Sequence, residues 1–272
     1  MNELSNDPAV GPSELAGQVA VVTGGTRGVG AGIVRALLAA GAEVVAAARR
    51  PPAGPIEAAG HKAEFRALDV RDPEAGPALL AAVAADHGRL DLLVNNAGGT
   101  PFLPLAEGRA EQHRRILELN LLAPLLLSRA AYQVMRGQTG GGTIIMVGSV
   151  SGQRPSPGSA AYGAAKAGLD HLARSLAVEW APLVRVNTLV LGMVRTESSH
   201  LHYGDEEGIA AVGRTVPLGR LAGTDEVGEA CVFLASARAG YISGASLLLH
   251  GGGERPAFLA AATVNKDSKN GS

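Results

Sequence analysis

Cysteine is nearly absent from the chain: Cys231 is the single one among 272 residues. One thiol excludes an intramolecular disulfide and a cysteine metal cluster. Its setting, Glu229-Ala230-Cys231-Val232-Phe233-Leu234, predicts a buried structural position on a helix. Excess charge of one sign is also missing, with 24 basic against 25 acidic residues. That balance removes the electrostatic case for nucleic acid or an anionic membrane as a partner. No uninterrupted apolar run reaches the roughly 18 residues a membrane-spanning helix needs. The start, from Met1 to Pro8, lacks a basic region followed by an apolar stretch, so no secretory signal is expected. The seven histidines are scattered without a ligand spacing such as His-Glu-x-x-His, and no metal is expected. A soluble, cytoplasmic protein is the expectation.

What is present is core material: 46% of the residues are hydrophobic and 18% charged, a balance that supports a sizeable core without global disorder. Residues 1–16 are polar and contain proline and glycine, which predicts a flexible arm. Strand-like runs then recur at 19–23, 43–47, 65–70, 90–95, 143–147, 184–190 and 246–249. Helical stretches separate them at 30–40, 73–87, 111–136, 160–181 and 224–235. Runs such as Val19-Ala20-Val21-Val22 do not alternate with polar residues, so these strands are buried on both faces, as in a parallel sheet covered by helices. The pattern predicts an α/β fold: one doubly wound, Rossmann-type domain over 17–253, with a mostly parallel seven-stranded sheet and helices on both faces. A polar tail covers 254–272, and its end is expected to be disordered.

Two features carry chemistry. Tyr162 and Lys166 lie four residues apart in a helical stretch and so share a face. An ammonium beside a phenol favours the phenolate and moves the tyrosine pKa from about 10 toward the working pH. On these residues alone, a solvated lysine beside a half-buried tyrosine is the favoured reading. The second feature is the turn Thr23-Gly24-Gly25-Thr26-Arg27-Gly28-Val29-Gly30, placed between the first strand and the first helix. Such a turn lets the backbone approach a pyrophosphate, and the helix presents its N–H groups and positive dipole end. The second strand ends Ala47-Ala48-Arg49-Arg50 without a carboxylate to read the ribose 2′-hydroxyl of NAD. Arg49, with Arg27 in the turn, suits the 2′-phosphate of NADP. The expected cofactor is therefore NADP(H) in preference to NAD(H).

In four ordered motifs the chain resembles the short-chain dehydrogenase/reductase family, in its main single-domain branch. These are the glycine turn 23–30, Asn95-Asn96-Ala97-Gly98, Gly148-Ser149, and Tyr162-x-x-x-Lys166. The overall look is closest to β-ketoacyl carrier-protein reductases. The resemblance implies a tetrad. Tyr162 is the general acid/base, Lys166 lowers its pKa and binds the nicotinamide ribose, Ser149 orients the carbonyl, and Asn120 holds a relay water. It implies cofactor contacts at Gly24, Thr26, Arg27, Gly28, Val29, Gly30, Arg49, Asp69, Val70, Asn96, Ala97, Gly98, Gly192, Val194 and Thr196, besides Tyr162 and Lys166. Leu191 stands where the family usually has proline, and His250 where it has Asp or Asn. Candidate substrate-lining residues are Pro101, Phe102, Gln153, Arg154, Leu191 and Met193, with segment 197–212 closing over them.

The reaction so implied is hydride transfer between the nicotinamide and a small carbonyl or secondary alcohol. A homotetramer or homodimer is expected, packed through the helices around 111–136 and 160–181. A carrier-protein partner would dock on His113, Arg114, Arg115 and Arg129. Two alternatives stay open: an NAD-dependent alcohol dehydrogenase, and a catalytically idle dinucleotide-binding sensor or scaffold.

Overall fold

The computed structural model describes residues 14–262. In chain order the elements are β1 (Val19–Thr23), α1 (Gly28–Ala39), β2 (Glu43–Ala48), β3 (Glu57–Ala58), β4 (His61–Lys62), β5 (Glu64–Ala67), α2 (Ala75–His87) and β6 (Leu92–Asn95). There follow α3 (Ala110–Leu117), α4 (Ala123–Met135), β7 (Gly142–Ser149), α5 (Ala160–Glu179) and β8 (Val184–Leu191). The last are α6 (His200–Tyr203), α7 (Glu206–Thr215), α8 (Thr224–Ala235), β9 (Ser246–Leu249) and α9 (Ala257–Ala261).

Seven strands form one sheet in the order β5-β2-β1-β6-β7-β8-β9, and every pairing in it is parallel. The short β3–β4 hairpin stands apart. Successive strand residues point to opposite faces, and the core divides accordingly. Ala20, Val22, Val147, Leu189 and Leu191 pack with Ile33, Leu37, Val227 and Cys231 of α1 and α8. Val19, Val21, Ile144 and Met146 pack with Leu80, Leu127, Leu169 and Trp180 on the side of α2, α4 and α5. Burial pushes the Cys231 thiol up to about 12, which leaves it an unreactive core residue. The strand order reverses direction between β1 and β6. That switch point opens a crevice at the carboxyl ends of the strands, where doubly wound sheets bind ligands.

The structure adds the β3–β4 hairpin, α6, α7 and α9 to the expected elements and differs from the sequence expectation elsewhere too. The helix predicted over 111–136 is interrupted by a π-helical turn, Glu118–Leu122, between α3 and α4. The third predicted strand is shorter, because only Glu64–Ala67 pairs with β2. The arm expected over 1–16 ends earlier: Leu15 is wholly buried, and its N–H donates to the Ala40 carbonyl at 3.0 Å. Residues 1–13 of that arm and 263–272 of the expected tail lie outside the described residues. Among the described residues no helix is long and apolar enough to cross a membrane.

α1 and α8 approach each other closely at glycines. A Cβ on Gly32 would stand 2.6 Å from the Thr224 carbonyl oxygen. Gly32→Ala is therefore expected to cost about 1–3 kcal/mol in urea unfolding, while Gly54→Ala, which meets nothing within 4 Å, leaves stability unchanged.

Candidate active site

The glycine turn is held from across the crevice. The Thr23 hydroxyl accepts from the backbone N–H groups of Asn96 and Ala97, both at 3.0 Å. The Asn96 amide donates to the carbonyls of Thr23 at 2.9 Å and Gly24 at 3.2 Å. Gly24 and Gly28 have φ of 64° and 52°, which favours glycine. Gly30 has no room for a Cβ, which would lie 2.1 Å from the Gly24 carbonyl oxygen. The turn thus leaves its backbone bare at the start of α1, whose N-cap Arg27 makes no side-chain cap. A cavity of about 770 Å³ opens there, lined by Thr26, Arg27, Gly28, Thr196 and Glu197 among others. The Gly28 N–H donates to the Glu197 carboxylate at 2.9 Å. A carboxylate on this N–H shows that the turn accepts an anion, so the residues fit a dinucleotide's phosphates.

Ser149, the last residue of β7, lies opposite Leu191 of β8 in the sheet. Its hydroxyl accepts from the Ser151 N–H at 3.2 Å. The following loop seats directly on α5. A Cβ on Gly152 would meet Ala167 N at 2.6 Å, and one on Gly163 would meet the Ser151 carbonyl oxygen at 2.7 Å. These two glycines bring Ser149 against the first turn of α5, beside Tyr162. Burial pushes the Tyr162 phenol above its ordinary range, and the neighbouring Ser149 hydroxyl pulls it partly back. Lys166, one turn on, is 5% exposed, and its ammonium donates to the Val147 carbonyl at 2.8 Å. Burial lowers its pKa to about 8. The lowering of the tyrosine pKa expected from Lys166 is therefore outweighed. The ammonium lies 5.6 Å from the ring centroid, turns to a backbone carbonyl, and is itself desolvated.

Asn120 sits at the centre of the π-helical turn and is wholly buried. Its amide donates to the carbonyls of Gly99 and Ile116, both at 2.9 Å, and its oxygen accepts from the Gly99 N–H at 2.9 Å. A Cβ on Gly98 would lie 2.7 Å from Asn120 Oδ1 and 3.4 Å from Lys166 Nζ. Asn120, Gly98 and Lys166 therefore share one corner of the crevice. π-turns inside helices recur at functional sites.

The family pattern described as Enoyl-(Acyl carrier protein) reductase matches residues 24–254. The 3-oxoacyl-(acyl-carrier-protein) reductase of Escherichia coli K12 is 36% identical over 239 residues, 87% of this chain and 97% of its own. The chain belongs to the short-chain dehydrogenase/reductase family. An uncharacterized oxidoreductase of Mycobacterium tuberculosis CDC 1551 is 35% identical over 240 residues, 86% of this chain and 91% of its own. The ligand-free structure of aldohexose dehydrogenase from Thermoplasma acidophilum superimposes with a TM-score of 0.82 at 27% identity, over 89% of this chain and 96% of that one. The protein is thus an oxidoreductase of this family.

Not every residue expected at a short-chain dehydrogenase/reductase site stands free to meet a ligand. Leu191, expected as an apolar wall, is instead a core residue: it ends β8 and is 7% exposed on the α1 side. Val70 packs into the opposite core. Gly192 is pressed against the backbone of His250, which a Cβ would approach to 2.8 Å. Val194 forms a β-bridge with Ala222. Met193 lines a separate cavity of about 250 Å³ with Leu218, Leu249 and His250. Arg154 is ion-paired with Glu254. Phe102 is 79% exposed and lies over Gly158, where a Cβ would stand 2.0 Å from its ring. Gln153 is exposed on the loop after β7.

One residue unnoticed in the sequence matters here, and one noticed only as the start of the segment 197–212. Arg71 takes both oxygens of Asp69, at 3.0 and 2.6 Å. With Arg49 nearby, it holds that carboxyl at about 2. Glu197 is the other. No motif marked either role: Arg71 acts on a carboxylate two positions before it, and Glu197 through a contact with a distant segment.

Lys166 carries a measurable cost. Its pKa of about 8 against an ordinary 10.5 means that the unfolded chain binds the extra proton between those values. Stability must therefore rise with pH across that window. Relative to Lys166→Met, the wild type should gain about 3 kcal/mol in urea unfolding between pH 8 and 10.5, and the two should run parallel below pH 7.

Proposed function

We propose that the protein is an NADP(H)-dependent carbonyl reductase or alcohol dehydrogenase acting on a small carbonyl or secondary alcohol. The observation that carries this reading is the convergence of Ser149, Tyr162, Lys166 and Asn120 at the mouth of the glycine turn. Gly24, Thr26, Arg27, Gly28, Val29 and Gly30 would hold the phosphates. Asn96, Ala97 and Gly98 would pass beside the riboses, with Thr196 and Val194 at the far side. Arg27 and Arg49 would meet the 2′-phosphate, and Asp69, oriented by Arg71, would face the adenine. The nicotinamide supplies or accepts the hydride.

The chain's own residues do the rest. A phenol raised by burial keeps its proton at neutral pH, so Tyr162 enters the reaction as the acid. Negative charge that builds on a carbonyl oxygen beside it is met by two hydroxyl donors, Tyr162 and Ser149. Lys166, a cation below about pH 8, favours the phenolate that remains after the proton leaves. Asn120 fixes the Gly98–Gly99 backbone against Lys166 and would order a water there. An idle scaffold would not need a buried ammonium, whose desolvation costs stability.

The carrier-bound reading is supported by the name of the Escherichia coli relative. Against it, Arg114 and Arg115 of the expected docking patch are already paired with Glu111 and Glu118. A small free carbonyl compound is favoured. A homotetramer or homodimer through the helices around 111–136 and 160–181 is supported by the exposed Leu117, Leu122 and Leu125 on the first and Val178 on the second, and a monomer in light scattering would refute it.

The direct test is NADPH oxidation with a carbonyl panel that includes a 3-oxoacyl thioester. Tyr162→Phe should lose about 10²–10⁴-fold in kcat while still binding NADPH, and full activity would reject the assignment. Arg27→Ala and Arg49→Ala should each weaken NADPH by about ten-fold or more and leave NADH unchanged. A wild-type preference for NADH would sink the cofactor assignment.

A further inference from the structure

Glu197 occupies a position that the cofactor reading does not explain. Its carboxylate accepts from the N–H of Gly28, the first residue of α1, at 2.9 Å. No side chain of the N-cap itself satisfies this end of the twelve-residue helix. The positive end of a helix dipole and its bare N–H groups are where an anionic phosphate docks. Glu197 already supplies the negative charge there, from inside the same cavity.

Glu197 also begins the segment expected to close over the cleft, whose residues His200, Glu206 and Ile209 line the same cavity. Thr196 before it turns inward: its N–H donates to the buried Ser199 hydroxyl at 2.9 Å, and its own hydroxyl accepts from the Ser198 N–H at 3.3 Å. That turn leads straight into α6 and α7. Arg195 on the other side pairs with Glu206 of α7. The far end of the segment is anchored elsewhere: Leu218 N–H donates to the Gly251 carbonyl at 3.1 Å, and Arg255 N–H to the Thr215 carbonyl at 3.2 Å. The Gly28–Glu197 bond is therefore the tie between the lid's first turn and α1.

We propose that Glu197 is an internal competitor for the cofactor's pyrophosphate, and that cofactor entry at α1 releases the root of the 197–215 lid. The proposal rests on the cofactor assignment made above. Two anions cannot share one N–H, so the pyrophosphate must displace the carboxylate, and part of the binding energy is spent on freeing the lid. Cofactor affinity and lid position are then linked through one side chain that contributes nothing to the chemical step.

The test is equilibrium fluorescence titration of the full chain with NADPH and, separately, with adenosine 2′-monophosphate, which lacks the pyrophosphate. Glu197→Gln and Glu197→Ala are both expected to bind NADPH about two- to five-fold tighter than wild type. Their affinity for adenosine 2′-monophosphate should be unchanged. NADPH affinity that is unaltered or weakened in both variants overturns the proposal. So does equal tightening of both ligands, which would place the effect away from the pyrophosphate. If the wild type binds NADH rather than NADPH, the 2′-phosphate assignment fails, and the same comparison made with NADH and adenosine, which carries no phosphate, decides the role of Glu197 independently. If it binds no dinucleotide, both fall.

Discussion

Thr23 and Asn96 lock the ends of β1 and β6 together, and the crevice takes its shape from that lock. One hydroxyl accepts from two backbone N–H groups and donates to the Val94 carbonyl at 3.2 Å, so its hydrogen-bonding capacity is filled. The Asn96 amide bridges two carbonyls of the glycine turn. Without these bonds the turn would carry unsatisfied carbonyls near a buried strand end, which proteins rarely tolerate. With them, the turn can be stripped to glycine and still hold one conformation. Gly30 lies so close beneath Gly24 that the lock and the glycines work only together.

The other half of the crevice is registered from the same sheet. β7 follows β6 with Asn95 opposite Met146, and the strand runs on to Ser149. Close loop–helix packing at Gly152 and Gly163 then sets Tyr162 beside that serine. Lys166 is the costly member. A buried ammonium with one carbonyl partner is disfavoured by desolvation, and the lowered pKa measures that cost. Two large apolar clusters flank the sheet and carry it. Local instability held in place by a strong core is the usual arrangement at a reactive site.

Most of the fold was legible because it rests on short-range pattern. Unbroken apolar strands separated by helical stretches leave few topologies, and the parallel seven-stranded sheet follows. The motif residues were legible because their spacing is local. What escaped the sequence depends on contacts across space. The π-turn at Glu118–Leu122 forms where Asn120 bonds to Gly99, and helical periodicity carries no trace of a bond to another segment. Leu191 reads as a free residue after a strand but continues the β7–β8 ladder into the core. Tyr162 reads as a phenol lowered by lysine, yet desolvation, invisible in one dimension, prevails.

The silence of the substrate side also has a physical cause. The charges that border the cleft are already paired with one another: Arg154 with Glu254, Arg195 with Glu206, and Glu197 with the α1 amide. Each is an exposed contact, with the Arg195 and Glu206 side chains 57% and 74% exposed, so a charged ligand group would exchange one weak contact for another and gain little. Apolar surface has no such prior partner, and Phe102, exposed beside Gly158, offers some of it. Selection among substrates then falls to shape and apolar contact. Such contact discriminates weakly per methylene, by about 1–3 kcal/mol. The motif residues therefore go with an oxidoreductase of this family without identifying a substrate.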